Sequence, residues 1–582
     1  MDNKAIAGIL YETADLLEID GQDSFRIRSY RNAAEAVEAH PQQIADLISE
    51  PKKILEIPGI GKGMLKNFEE MFKEGKLSVH AELLQKYHPS MLQLLKIQGL
   101  GPKTIALIWS AYKVCDPEGV EKLAREGKIR ELPRMGEKQE AKLLKAIEDY
   151  RRIAGRFLLD IAEKQAEKII EHLKDYPGVE KITPAGSLRR GRETVGDLDI
   201  LVTGKACCQD EAREKLIDHI IKLPGLMEII ARGENKVSFR LRGGMQVDVR
   251  FLAPESFGAA MQYFTGSKAH NVALRQRALK MGYTLSEYSL ASLESEKPVA
   301  GKTEEEIYAK LNLDYIPPEL RENLGEIDAA EKHALPSLIS QTELQGDVHM
   351  HTIETDGRNT IEEMAEAARG HGYKYMAITD HSKNLAFANG LDDKRALEHI
   401  ARIRAADQKI DGIKIFAGIE VDILADGTLD LSDDVLAQMD LVIASVHSHM
   451  NNQTSEQMTD RLLKAVGNPN TSIIGHPTGR QLLRRDAYPF DMDAILKAAA
   501  KLKVAMELNA YPDRLDLCDR HLRMAKQHGV KIVINTDSHH TSHLDKIHYG
   551  VLQARRAWLT RDDVLNTLSV EKFAKAMKHG WA

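Results

Sequence analysis

From Ala5 to about Tyr150, apolar residues recur at helical spacing, interrupted by short glycine-containing turns, which predicts a helical first part. Around Lys181 the period changes to short β-type runs, KITPAGS and LDILVTG. The segment VSFRLRGGMQVDVRFLA then predicts a hairpin turning at Gly243-Gly244. A helix is expected from Ser267, a favourable N-cap, to Gly282, a favourable residue just past a helix end. Residues 303–345 are acidic and carry Pro317-Pro318 and Pro336, which reads as the end of one module plus a linker. From Leu344 onward the apolar runs YMAIT, KIFAGIE, DLVIASVH, TSIIGH, KVAMELNA and KIVINTD alternate with helical stretches. Repeated β-then-α units predict a (β/α) barrel-like domain, whose chemistry gathers where the strands end.

The length of 582 residues implies several domains. No run approaches the roughly 20 apolar residues that span a bilayer. Met1–Gly21 is acidic and helical in pattern, unlike a secretory leader. Cys115, Cys207, Cys208 and Cys518 form no CxxC, so a reduced, cytoplasmic protein is expected. The net charge of −7 hides a polarity. Residues 1–50 carry 4 Lys+Arg against 10 Asp+Glu, residues 51–300 carry 42 against 34, and residues 301–582 carry 34 against 43. The basic middle allows a phosphate-bearing partner despite the acidic average. Histidine is skewed too, with 15 of 22 from His349 onward.

Two segments repeat one design, ILEIPGIGKGMLKNF (54–68) and LLKIQGLGPKTIALIW (94–109). Each runs from an apolar helix end through two glycines, Gly59 and Gly61 or Gly99 and Gly101, into a helix start followed by Lys62 or Lys103. The glycines permit a tight turn, and the helix-start N–H groups face outward as a phosphate site. This is a helix-hairpin-helix pair, a grip on DNA that reads no sequence. A weaker third version, LPRMGEK (132–138), is not counted with them.

In AGSLRRGRETVGDLDILVTG (185–204), strand alternation puts Asp197 and Asp199 on one face while Leu198 and Ile200 enter the core. The strand MQVDVRF turns Asp248 away from Val247 and Val249, and the hairpin return can bring it beside the pair. Three carboxylates suit two Mg²⁺ (or Mn²⁺) ions, with Gly186-Ser187 and Arg189/Arg190 upstream offering donors and charge to a triphosphate. GSLRRG…GDLD, the later Asp248 and YFTGSKAHNVALR (263–275) resemble the family X DNA polymerases, over roughly residues 1–315. The resemblance implies that Asp197 and Asp199 bind both metals and that Asp248 binds the ion activating the primer 3′-hydroxyl. It implies phosphate contacts from Ser187, Arg190 and Gly196, with Arg156 added on spacing. Tyr263 and Phe264 would flank the sugar, Tyr263 obstructing a 2′-hydroxyl; Gly266 belongs to the same block. Asn271 and Arg275, neighbours on one helix face, would contact the nascent base pair and the template. One departure stands out: the position of the Schiff-base lysine in relatives with 5′-deoxyribose-phosphate lyase activity is Asn67 here, with Lys66 beside it, so no lyase is expected.

The second half carries ligand-type residues at strand ends throughout: His349 and His351, Asp356, Asp380 and His381, Glu420, His447 and His449, His476, then Asp537, His539 and His540. Mixed nitrogen and oxygen donors suit Zn²⁺ or Mn²⁺. From about residue 342 the chain resembles a polymerase-and-histidinol-phosphatase (PHP) domain, and its union with a family X core resembles the bacterial and archaeal family X polymerases. By that resemblance up to three ions bind His349, His351, Asp356, His381, Glu420, His447, His476, Asp537 and His539. The implied activity is a phosphoesterase on DNA 3′ ends: 3′–5′ exonuclease, 3′-phosphatase or abasic-site endonuclease. Arg480 and Arg514 are candidate phosphate clamps.

The expected domains are helix-hairpin-helix segments at 1–85 and 86–150, an α+β nucleotidyltransferase palm at 151–252 and a thumb at 253–315. A linker at 316–341 and a distorted (β/α) PHP barrel at 342–582 complete the chain. The reading is a monomeric gap-filling repair polymerase that takes gapped or primer-template DNA and dNTPs, with no membrane partner and a second, trimming site. Two alternatives remain: a DNA-binding scaffold with a structural metal domain, and a nucleotidyltransferase on a non-DNA acceptor fused to a small-molecule phosphatase.

Overall fold

The computed structural model describes residues 3–40, 42–57, 59–88, 90–97, 99–450 and 452–581. It divides into two units, residues 1–154 and 155–582. The first unit is helical. One hydrophobic core runs through it from Ile6 to Ile147, so the two segments expected as separate domains share their apolar interior. Its hairpins follow the expected design: Gly59 and Gly99 take φ of 92° and 90°, and Gly61 and Gly101 precede the helices Lys62–Glu74 and Pro102–Tyr112. Ile60 N–H donates to Ile57 O at 3.1 Å and Leu100 N–H to Ile97 O at 3.0 Å.

The uncounted third version repeats this backbone. Met135 N–H donates to Leu132 O at 3.0 Å, Gly136 precedes the helix Glu137–Ile153, and Arg134 takes φ of 67° where the other copies have glycine. A side chain in that region costs roughly 1–2 kcal/mol, which explains why the copy looks weak in sequence.

In the second unit a five-stranded sheet is ordered Lys181–Pro184, Asp197–Thr203, Gln246–Leu252, Lys236–Leu241, Leu226–Arg232. Strands Lys236–Leu241 and Gln246–Leu252 form the expected hairpin. Asp197–Thr203 and Gln246–Leu252 run parallel, and this register sets Asp199 opposite Asp248. The helices Phe257–Thr265 and Lys268–Lys280 follow, the latter capped by the Ser267 hydroxyl accepting from His270 N–H. The stretch 316–341, expected as a linker, is instead built into the fold. Ile316, Leu320 and Ala330 join the core of these two helices, and buried Arg321 pairs with Glu304. Its prolines bend a packed segment; they do not loosen it.

The last part is a sheet of seven parallel strands in chain order, from Gly346–Asp347 to Ile532–Asn535. A parallel bridge between Met350 and Ser538 brings the first and last strands together, so the sheet curls into a nearly closed barrel. Alternate residues serve two cores. Tyr375, Ala377, Leu441 and Ile443 pack with Phe573 and Trp581 from the C-terminal segment. Met376, Ile378, Val442 and Ala444 pack with the surrounding helices. Truncating a leucine, isoleucine or methionine among them to alanine removes ~2–5 kcal/mol of stability. The rigid barrel fixes the ends of its strands, where the histidines lie.

Candidate functional site

Two groups of side chains converge in the second unit. In the palm sheet, Asp197 is exposed, Leu198 buried and Asp199 half-buried, as alternation requires. Asp248 is 6% exposed and registers with Asp199. The positive charge among these acids comes from two residues that sequence reading missed. Lys236 Nζ lies 2.9 Å from Asp248 Oδ2, and Arg250 reaches Asp248 Oδ2 at 3.3 Å and Asp199 Oδ1 at 3.4 Å. The signal was present: Arg250 is two residues from Asp248 on the same strand face, and Lys236 registers with Arg250 across the hairpin. Burial first, then the charges of Asp197 and Asp248, outweigh Arg250 and push the Asp199 carboxyl up to about 6. Such mutually repelling carboxylates fit divalent cations.

Gly186 sits so close to Asp199 that a Cβ would be 3.0 Å from Oδ2. This puts the turn that carries Ser187 beside Asp199. Arg156 donates to Thr194 Oγ1 at 2.8 Å and to Thr194 O at 2.6 Å, and lies next to Gly196. Arg190 donates to Glu322 Oε1 at 3.1 Å and to Thr265 O, the residue before Gly266. Arg189, expected to face a triphosphate, pairs with Glu304 at 2.6 Å and with Thr265 Oγ1 at 2.7 Å. It ties the palm to the thumb. Tyr263 and Phe264 meet edge to face at 4.9 Å, with Arg250 over Phe264 and Arg275 over Tyr263. Asn271 Nδ2 donates to Tyr263 O at 2.7 Å, so Asn271 and Arg275 do share a face toward this aromatic pair.

At the barrel mouth five of the candidate ligands surround a sixth, Glu420. Glu420 Oε2 lies 3.3 Å from His349 Nε2, 3.6 Å from His351 Nε2 and 2.9 Å from His381 Nδ1. Its Oε1 lies 3.0 Å from His476 Nε2 and 3.4 Å from His447 Nε2. Asp537 Oδ1 is 3.0 Å from His351 Nε2, and Asp356 Oδ1 is 3.6 Å from His381 and 3.4 Å from His539. Among the described residues, His351/Asp356/His381/His539, His349/His351/Glu420 and His381/Glu420/His447 are groups close enough to hold ions. The palm aspartates are not gathered that tightly, with Lys236 and Arg250 between them. Among the described residues, buried His349 Nε2, His351 Nδ1, His381 Nδ1, His476 Nδ1 and Glu420 Oε2 have no hydrogen bond of good geometry. Orphaned donor atoms of this kind are what a metal cluster satisfies. Burial, with the neighbouring His539 and His381, pushes the His351 imidazole down to about 4, whereas the carboxylates around them pull His447 up to about 10 and His539 up to about 9 against burial, protons that a bound cation would displace.

Sequence reading missed the carboxylates behind these ligands. Buried Glu507 accepts from His349 Nδ1 at 2.6 Å and from His476 N–H at 2.7 Å. Asp422 binds His447 Nδ1, and Asp537 O takes His539 Nδ1 at 2.9 Å. These fix ring tautomers and leave Nε2 of His349 and His447 facing the cluster. Of the two candidate clamps, Arg514 lies 3.9 Å from Asp537. Arg480 does not serve: it pairs with Glu193 at 2.7 Å and with Arg514 O at 3.0 Å. In the helical unit, Asn67 Nδ2 donates to Tyr30 Oη at 3.1 Å, an amide where a lyase would need an amine.

Four family models match the chain: a helix-hairpin-helix domain at 1–77, a SAM-like helix-hairpin-helix tandem at 91–149, a DNA polymerase beta thumb at 260–322 and a PHP domain at 347–510. The tandem covers the second and third hairpins. Among curated proteins, the chain is 39% identical over 580 residues to the DNA polymerase/3'-5' exonuclease PolX of Bacillus subtilis (strain 168), covering 99% of this chain and 100% of that one. It is also 30% identical over 231 residues to a probable phosphatase of Thermoanaerobacter sp. (strain X514), covering 38% of this chain and 89% of that one. A probable phosphatase of Acetivibrio thermocellus is 29% identical over 240 residues, 40% of this chain and 94% of its own length.

Proposed function

The chain belongs to the PHP-bearing family X DNA polymerases, a DNA polymerase and 3′–5′ exonuclease in one polypeptide, and we propose that the two activities use separate sites, the palm aspartates and the barrel mouth, to fill and trim short gaps during DNA repair. The observation that carries this reading is the convergence of the barrel ligands, with five histidines within 3.6 Å of Glu420, while Asp197, Asp199 and Asp248 share a face of a different sheet. Neither set borrows a residue from the other. We further propose a monomer in the cytoplasm that takes dNTPs.

When bound, Mg²⁺ or Mn²⁺ at the aspartates would acidify the primer 3′-hydroxyl and offset pyrophosphate charge, and Zn²⁺ or Mn²⁺ at the nine barrel ligands would acidify an attacking water. Lys236 and Arg250 keep Asp248 and Asp199 company until then. Ser187, Arg190, Gly196 and Arg156 take the triphosphate, and Tyr263 and Phe264 bracket the sugar, Tyr263 against a 2′-hydroxyl. Gly266 lets the chain turn toward Arg190. Asn271 and Arg275 present the template side. At the barrel, Glu507 and Asp422 hold His349 and His447 in orientation, and Arg514 meets the phosphate. With dNTPs, the purified protein is expected to fill one-nucleotide-gapped DNA; without them, to shorten the primer from its 3′ end. Failure of either would leave the corresponding site without a function.

Two more expectations test single parts. Glu507→Gln removes the charge behind His349, and the metal concentration that half-saturates end trimming should rise roughly 10–100-fold, with gap filling unchanged. An unchanged metal titration would contradict the orienting role. Binding to gapped duplex through Gly59, Gly61, Gly99 and Gly101 should weaken steeply with salt, log affinity falling by roughly 0.9 per phosphate contact per log unit of salt. A flat salt dependence would remove the hairpins from the DNA-binding surface.

A further inference from the structure

The palm segment directly after the triphosphate-binding residues is gripped by the barrel. Gly191 takes φ of 63°, and a Cβ there would be 3.3 Å from Leu552 Cβ. Buried Gln553 donates Nε2 to Gly191 O at 2.9 Å. Arg480 reaches Glu193 at 2.7 Å. Arg556, 3% exposed, donates Nη1 to Arg190 O at 2.8 Å and to Glu322 Oε1 at 3.1 Å, and Nη2 to Asp519 Oδ2 at 2.7 Å. Glu322 is the same carboxylate that receives Arg190 Nε at 3.1 Å. Leu515 and Tyr549 of the barrel pack inside the palm core. The helix Ile547–Arg556 therefore touches the backbone and, through Glu322, the side chain of Arg190.

We propose that Arg556 is a positioning residue for nucleotidyl transfer: it holds Arg190 against the triphosphate by sharing Glu322 and capping the Arg190 carbonyl, so the barrel sets dNTP affinity independently of its own metal ligands. This rests on the reading that Arg190 contacts the triphosphate. The physical reason lies in the charge count. Arg190, Arg192 and Arg556 surround Glu322, and Asp519 balances Arg556 from behind. That leaves a positive excess for an anion. Without Arg556, Glu322 is free to take both faces of the Arg190 fork, and a triphosphate must then compete with a half-buried carboxylate. The Arg190 carbonyl also loses its donor, which loosens the loop that carries the guanidinium.

The test is steady-state gap filling by the full-length protein. Arg556→Ala should raise KM for dNTP about tenfold with little change in kcat, and Arg556→Lys should recover part of the loss. End trimming by the same preparations should stay at the wild-type rate, showing an intact barrel. The Arg190→Ala/Arg556→Ala double variant should be no worse than Arg190→Ala alone. Wild-type KM in an Arg556→Ala protein that still trims would overturn the relay. If that variant does not fold, Gln553→Met, which conserves volume and removes the bond to Gly191, is expected to raise KM likewise, and an unchanged KM there would overturn it. An Arg190→Ala protein with unchanged dNTP KM would instead sink the triphosphate role of Arg190, a separate failure.

Discussion

Asp199→Ala is expected to lower dNTP incorporation on gapped DNA roughly a thousandfold, ~4 kcal/mol of barrier, while end trimming continues. Asp199 stands in register with Asp248 and two residues from Asp197, so it is the member that joins the two strands of the acidic face. Without it, Asp248 keeps Lys236 and Arg250, and Asp197 stands alone at the exposed strand start. The variant should fold. Because its carboxyl is pushed from 3.8 to about 6, the folded state binds a proton more tightly than the unfolded one. In metal-free protein this residue lowers stability as pH rises across that interval and keeps it lowered above. Thermal melts at pH 7.5 without metal should show Asp199→Ala no less stable than wild type. A lower melting temperature would mean that the Arg250 pair outweighs burial and repulsion.

The second large effect is expected from His349→Ala combined with His351→Ala. Both imidazoles are fully buried at the mouth of the barrel, and both approach Glu420 and Asp537. Removing them leaves two of the three close-set ligand groups incomplete. End trimming should fall about a thousandfold, again several kcal/mol of lost metal assistance. The bound metal counted by elemental analysis should fall with it, while gap filling stays within about twofold, below ~0.5 kcal/mol. Full metal content with lost trimming would put these histidines in a role other than ligation.

Much of this arrangement is legible in the chain because it depends on short periods. Asp197 and Asp199 share a face through the two-residue strand repeat, His349 and His351 stand as an HxH pair just past the strand Gly346–Asp347, and the hairpins announce themselves by paired glycines. What stays hidden depends on register between distant segments. Glu507 lies in an apolar strand like any other buried acid, and only the barrel brings it to His349, 158 residues away. Arg189 and Arg480 look like anion binders in sequence, yet their guanidinium groups meet Glu304 and Glu193, partners no local pattern reveals. The prolines of 316–341 suggest a linker, but their effect depends on the buried Ile316, Leu320 and Arg321 beside them. Arg134 hides a third hairpin because the turn tolerates a side chain at a modest cost.

The most direct test of two separate sites puts wild type, Asp199→Ala and His349→Ala/His351→Ala side by side on one-nucleotide-gapped DNA with a 5′-labelled primer, with and without dNTPs. The expected result is that the primer extended by one nucleotide disappears only with the aspartate variant, and shortened primers disappear only with the histidine variant. Loss of both products from either variant, in protein that still melts cooperatively, would contradict the account.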